Sequence, residues 1–238
     1  MLKWQCLGNQ RHHSDSFSLD SHAVIHNKSI ANLPSQCPRG KSFNPTYAMV
    51  CKTGGFIHAR HDNVKNLEAS LLSRVCKDVA IESSLIPVTG EEFVLRSANI
   101  EDDSRLDVKA KGFYRQGQTA FLGIRIAHLN AESNKNLSTD KILARHENEK
   151  KKAYNNRRVL EIEHGSFTPL VFGSNGAMGR ECAIYHKLLA QKISLKEDKP
   201  YSIVMSWIRT KLSITLIKSA LLCLRGSRRP FKTFDKDI

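Results

Sequence analysis

Acidic residues are scarce in this chain: 23 Asp and Glu stand against 37 Lys and Arg in 238 residues, a formal charge of +14. That deficit argues against a neutral metabolic surface and toward a polyanionic partner, nucleic acid first and an anionic membrane second. Aromatic residues are also few, at 7 %. The 40 % hydrophobic and 25 % charged content is nonetheless ordinary for a globular chain and excludes wholesale disorder. Uncharged apolar runs of membrane-spanning length are lacking. The nearest, Tyr201–Leu224, carries Arg209, Lys211 and Lys218, each costing roughly 2.5–3.5 kcal/mol at a bilayer centre. Lys211, Lys218 and Arg225 recur every seven residues and form one basic edge of a soluble helix. The opening Met1-Leu-Lys-Trp-Gln-Cys has no signal-peptide core, so secretion is not expected. The six cysteines (6, 37, 51, 76, 182 and 223) are scattered and read as reduced thiols.

What is present divides into five stretches. Residues 1–35 form an irregular polar leader rich in Ser, His and Asn. Residues 36–61 are loop-like, with Cys37-Pro-Arg-Gly and Gly54-Gly55. A helix is expected from Asp62 to about Val79, with Asp62 as its N-cap and Val64, Leu67, Leu71, Leu72 and Val75 at helical spacing. Leu85-Ile-Pro-Val suits a short strand, and Glu91–Asp103 is an acidic connection. A charged helix is expected within Leu137–Glu163, then a short strand at Thr168-Pro-Leu-Val-Phe-Gly. Helices are expected at Met178–Ile193 and Tyr201–Leu224, and a basic tail follows Gly226. This order predicts a mixed α/β domain over 62–175 with a helical extension over 176–225 and a tail at 226–238.

The clearest local signal is a pair of strands, Arg105–Tyr114 and Gln118–Ala127. Leu106, Val108 and Ala110 alternate with Asp107, Lys109 and Lys111, and Ala120, Leu122, Ile124 and Ile126 form the apolar set of the second strand. A three-residue loop, Arg115-Gln116-Gly117, puts glycine where a left-handed conformation is needed. That register sets Tyr114 opposite Gln118 and Asp107 opposite Arg125, with Asp107, Lys109, Gly123 and Arg125 sharing one polar face. Charge is also unevenly placed. Residues 62–107 hold ten acids and five bases, a net of −5, so the remainder carries +19. An acidic patch in a basic surround suits a metal-dependent phosphodiester site, although surface ion pairing alone would give the same count.

Arg60-His61-Asp62-Asn63-Val64, Arg105-Leu-Asp107-Val-Lys, Phe121-Leu-Gly123-Ile-Arg125-Ile and His146-Glu-Asn-Glu-Lys-Lys-Lys-Ala-Tyr154 together resemble a known arrangement. It is similar to the restriction-like endonuclease region associated with reverse transcriptase in non-LTR retrotransposons. The resemblance runs from about Cys37 to Arg229, and includes His164-Gly-Ser-Phe-Thr-Pro-Leu-Val-Phe. It implies a PD-(D/E)XK core of helix, three strands, helix and strand, with two additional C-terminal helices, and a nuclear or cytoplasmic location. It also implies DNA as partner, no membrane, and Mg²⁺- or Mn²⁺-dependent phosphodiester cleavage as the ancestral reaction.

The resemblance assigns roles residue by residue. Asp107 matches the metal-binding Asp, and Arg125 falls where the family's Lys stabilises developing charge. Arg60, His61, Lys150, Lys151, Lys152, Arg157 and Arg158 are the candidates for gripping phosphates. The family's second acid is replaced by Gly123, and its helical acid by Asn66, with Glu68 nearby on another face. Mg²⁺ sites typically use one or two carboxylates and lean on substrate oxygens, so this copy is expected to be impaired. Gly123→Asp is the substitution expected to rebuild the ligand pair. Cys37 and Cys51 match the first and last ligands of a zinc-knuckle-like cluster whose other positions hold Arg39 and Tyr47. That site does not close unless His58 and His61 substitute. The competing readings are a non-enzymatic nucleic-acid-binding module and a decayed fragment.

Overall fold

The computed structural model describes residues 35–84, 105–153 and 164–225. The short helix α1 spans Pro45–Ala48, started by Pro at its first turn and by the Asn44 side chain, which accepts the Tyr47 amide at 2.8 Å. Helix α2 spans Phe56–Leu72 and begins after Gly55, held at φ 71°. Asp62 is therefore not the N-cap. It lies inside the helix and accepts from Lys65 Nζ at 2.7 Å. The boundary expected at residue 61 consequently falls within α2.

Strand β1 (Val79–Ser84) follows, where the apolar spacing suggested the end of a helix. Strands β2 (Arg105–Lys111) and β3 (Thr119–Ala127), helix α3 (Thr139–Ala153) and strand β4 (Ser166–Gly173) complete the sheet region. The sheet order is β1-β2-β3-β4, with two antiparallel pairings and then a parallel one between β3 and β4. Helices α4 (Arg180–Glu197) and α5 (Tyr201–Arg225) close the described chain. No helix among the described residues is long and apolar enough to cross a membrane. The strand expected at Leu85–Val88, residues 154–163, the leader and the basic tail lie outside the described residues.

The hairpin forms in a different register from the one expected. Val108 pairs with Leu122 and Ala110 with Ala120, two residues away from the alignment of Asp107 with Arg125. Gly112 N donates to Gln118 O at 2.8 Å, so the loop is Phe113–Gly117, five residues long. The cause is Phe113, which is fully buried and lies 5.2 Å, centroid to centroid, from the Tyr185 ring. Fully burying such a side chain is worth about 1.5–3 kcal/mol, against roughly 0.5–1.5 kcal/mol for each ladder hydrogen bond forgone. Packing wins, and the left-handed Gly112 and Gly117, both at φ 80°, make the turn possible. A two-residue shift preserves the face of each side chain, because strand side chains alternate with period two.

Two packed layers flank the sheet. On one side Val108, Ala110, Leu122, Ile124, Leu170 and Phe172 meet apolar residues of α2, α4 and α5. On the other side α3 places Ile142 and Leu143 against Ala127, Leu129 and Val171. Helices α4 and α5 thus share the main core with the sheet and are not an appendage to it. A small separate cluster, Cys37, Phe43, Ala48 and Cys51, seats the α1 segment on Leu224 near the end of α5.

Candidate active site

Asp107 is the centre of a small polar cluster between the N-terminal half of α2, the sheet and α3. The β2–β3 ladder ends at Val108–Leu122, and beyond it the Asp107 carboxylate itself accepts the Ile124 amide at 2.5 Å. Lys150 Nζ stands 3.5 Å from the same oxygen, Oδ2, while His61 Nε2 is 3.3 Å from Oδ1. His61 Nε2 is also 3.3 Å from the Ile124 carbonyl, and donation from a protonated Nε2 serves both acceptors. Its Nδ1 lies 3.7 Å from Asp62, so the imidazole sits between two carboxylates.

These contacts set the charge states. Burial acts to raise the Asp107 pKa, but the His61 hydrogen bond, the Lys150 and His61 charges and the Ile124 amide hold it below the usual carboxylate range. Burial acts to lower the His61 pKa, and the hydrogen bond and charge of Asp107 overcome it, so the value is raised. Lys150 is lowered, chiefly by burial, with Asp107 opposing and Arg125 reinforcing the shift. Beside the cluster, buried Lys65 bridges Asp62 and Glu82.

Gly123 packs under the Phe167 ring, with the Lys150 stem alongside. A Cβ there would stand 2.8 Å from the Phe167 ring and 3.6 Å from Lys150 Cδ. The space of a second acid is therefore filled by an aromatic ring and a lysine stem. Asp107 is a single carboxylate with both oxygens engaged. Among the described residues no group of three or more His, Cys, Asp or Glu is placed to hold a metal ion. A divalent ion held here would have one protein carboxylate, whose oxygens are already approached by His61, Lys150 and the Ile124 amide.

The other candidates are dispersed. Arg125 does not meet Asp107; its Nη1 is 2.7 Å from Glu149 Oε2, which His146 Nδ1 also approaches at 3.2 Å. The three consecutive lysines of α3 point three ways, as helical geometry at about 100° per residue demands. Lys150 faces Asp107, Lys151 pairs with Glu181 at the start of α4, and Lys152 is exposed. Lys152 shares the outer face of α3 with Lys141, Arg145 and Asn148. Arg60, expected at a phosphate, is only 4 % exposed, and its Nε and Nη1 have no hydrogen-bond partner. Burial lowers its pKa, and its position on the inner face of α2 removes it from any surface contact. Arg157 and Arg158 lie outside the described residues.

Glu68 turns into the core, where its Oε1 is 2.9 Å from His186 Nε2. His186 Nδ1 lies 2.8 Å from the Cys182 carbonyl. Both ring nitrogens act as donors, and the Glu68 charge outweighs burial to raise the His186 pKa well above its ordinary value.

Cys37 and Cys51 do come together, with sulfurs 3.7 Å apart. His58 is exposed on α2 and His61 is committed to Asp107, so neither completes a four-ligand zinc site with them. Sequence reasoning missed the role of Lys150, although the signal was present. Leu143, Glu147 and Lys150 follow i, i+4, i+7 spacing, and the first two are buried. Comparison with protein-family models and with curated proteins gives no match for this chain.

Proposed function

We propose that this chain is a nucleic-acid-binding module of restriction-endonuclease-like architecture that grips the sugar–phosphate backbone without cutting it through a bound divalent ion. The observation that carries the reading is the Lys150 ammonium beside Asp107, its stem over Gly123. A lysine in that place neutralises the one carboxylate a metal would need, so the Asp107 position no longer repels a phosphate. Lys141, Arg145 and Lys152 on the outer face of α3, with the +14 overall charge, supply the surrounding attraction. A retroelement origin and a nuclear location accompany this reading.

The test is fluorescence anisotropy with a duplex oligonucleotide over a salt series, paired with a plasmid-nicking assay in Mg²⁺ and Mn²⁺. Binding without marked sequence preference and without nicking is expected. Absence of binding at about 50 mM salt would remove the nucleic-acid reading. Efficient metal-dependent nicking, abolished by Asp107→Ala, would restore the enzyme in its place.

A further inference from the structure

The cysteine pair has a geometry that the α3 surface and the Asp107 cluster do not use. A tight turn positions Cys37: its amide donates to Lys41 O at 2.9 Å, and Gly40 N donates back to Cys37 O at 2.7 Å. The bridge Gln36–Ser42 and the bond from Phe43 N to Ser35 O, 3.0 Å, fasten that turn. Cys51 follows α1, whose C-terminal end is closed by Val50 N on Tyr47 O at 3.1 Å. The two sulfurs meet at 3.7 Å, both side chains only 3 % exposed. Pro38, Arg39, Val50 and Lys52, their neighbours in the chain, are all exposed.

Hydrogen bonds from Tyr47 and Thr53 converge on the Cys51 sulfur. Cys76 and Cys182 are buried thiols of the ordinary kind, pushed up by desolvation. Among the described residues no third His, Cys, Asp or Glu is placed with the pair to hold a metal ion. Two adjacent sulfurs have another chemistry open to them.

We propose that Cys37 and Cys51 form an oxidation site for hydroperoxides, joined on reaction into an intramolecular disulfide. The Cys51 thiolate attacks one oxygen of hydrogen peroxide, the O–O bond breaks, and hydroxide leaves, giving a Cys51 sulfenic acid. The Cys37 sulfur then attacks Cys51 Sγ, the S–S bond forms, and the sulfenic oxygen leaves with the Cys37 proton as water. Two thiols lose two electrons in all, and one peroxide is reduced. Closing the sulfurs from 3.7 Å to the bonded separation of about 2.05 Å is a matter of side-chain rotation. The product cross-links the segment that carries α1, and so stiffens its seat on Leu224.

The test uses the full chain, reduced, then exposed to hydrogen peroxide and quenched with an alkylating agent. Expected are a mass loss of two hydrogens, a cross-linked Cys37–Cys51 peptide, reversal by dithiothreitol and a Tm raised by roughly 5–10 °C. In Cys37→Ser, the Cys51 sulfenic acid persists and is trapped by dimedone. In Cys51→Ser, oxidation at Cys37 slows by at least about tenfold. If either variant fails to fold, the peptide map of the natural chain decides alone. Overoxidation of Cys51 without the cross-link, a cross-link through any other cysteine, or inertness of both thiols under conditions that oxidise the unfolded chain would each overturn the proposal.

Discussion

Lys150 reaches Asp107 from the helix that follows the hairpin, its ammonium 3.5 Å from Oδ2 and its stem passing beside Gly123. A strand carboxylate that would otherwise need a metal or water is thus held by protein charge.

Nucleic-acid binding should depend on the outer face of α3. With about four to six phosphates neutralised, the log–log salt slope is expected near −4 to −5. Substituting Lys141 and Lys152 by Ala should reduce its magnitude by up to about 2, with a smaller change from Arg145→Ala, because Arg145 donates to Asn134 and pairs with Glu149. Lys151→Ala should change it far less, because Lys151 is paired with Glu181. Equal effects from all four substitutions, measured by anisotropy, would show that the interface lies elsewhere.

Gly123→Asp should not revive a metal site. The new Cβ meets the Phe167 ring at 2.8 Å, and overpacking of this kind costs about 1–3 kcal/mol. We expect a lower midpoint in urea unfolding, and a double variant Gly123→Asp/Phe167→Ala less destabilised than the sum of its two single variants. Mn²⁺-dependent nicking by the single variant would show that the ring gives way more easily than its packing suggests.

The Asp107–His61 pair should give stability a pH optimum. Asp107 is depressed when folded, so its contribution is present above the unfolded value of about 3.9 and is lost as pH falls through the folded one. His61 is raised, so its contribution is complete below about 6.5 and is lost as pH rises through the folded value. The destabilisation caused by Asp107→Asn should therefore be largest between about pH 4 and 6.5. Urea melts across pH 3–9, on the order of one unit apart, check this. A destabilisation that stays constant with pH would contradict it.

Glu68 and His186 tie α2 to α4 inside the core, 0 % and 2 % exposed. Truncation of Glu68 to Ala should cost about 3–5 kcal/mol, since it strands a buried partner. The raised His186 pKa makes its stabilisation complete below about 6.5, with loss only as pH climbs through the higher folded value. Glu68→Gln should abolish that alkaline loss in denaturant titrations. A variant that keeps the full pH dependence would assign it to another group.

Zinc content is a separate test of the cysteine segment. Purified protein should carry well under one equivalent, and a chelator should leave its far-ultraviolet circular dichroism unchanged. Stoichiometric zinc lost in both Cys37→Ser and Cys51→Ser would instead mean that ligands beyond the two thiols complete the site.

The strand alternation around Asp107, the left-handed Gly117 and the long helix from Tyr201 are all legible in the sequence, because each rests on local periodicity or on one backbone conformation. The hairpin register is not. It turns on Phe113 finding Tyr185, a contact across the fold that no local pattern encodes. The start of α2 was obscured by Asp62, a good capping residue that instead pairs with Lys65 in mid-helix. Strand β1 was hidden because Val79-Ala-Ile-Glu-Ser-Ser has too few apolar residues to show its period. The candidate site was legible at Asp107 and misread at Lys150, where a run of three lysines looks like a solvated face until it is placed on the helix.

The parallel seam between β3 and β4 also bears on how the chain reaches this state. Antiparallel β2 and β3 are near neighbours and can zip within microseconds once the turn closes. Ala120 must wait for Ser166, on the far side of α3. Until then the outer edge of Phe121-Leu-Gly-Ile offers unpaired amides and carbonyls to any passing strand. Such late, non-local pairing slows folding and prolongs exposure to association. During synthesis, the interval between emergence of β3 and docking of β4 is when this chain is most exposed to aggregation.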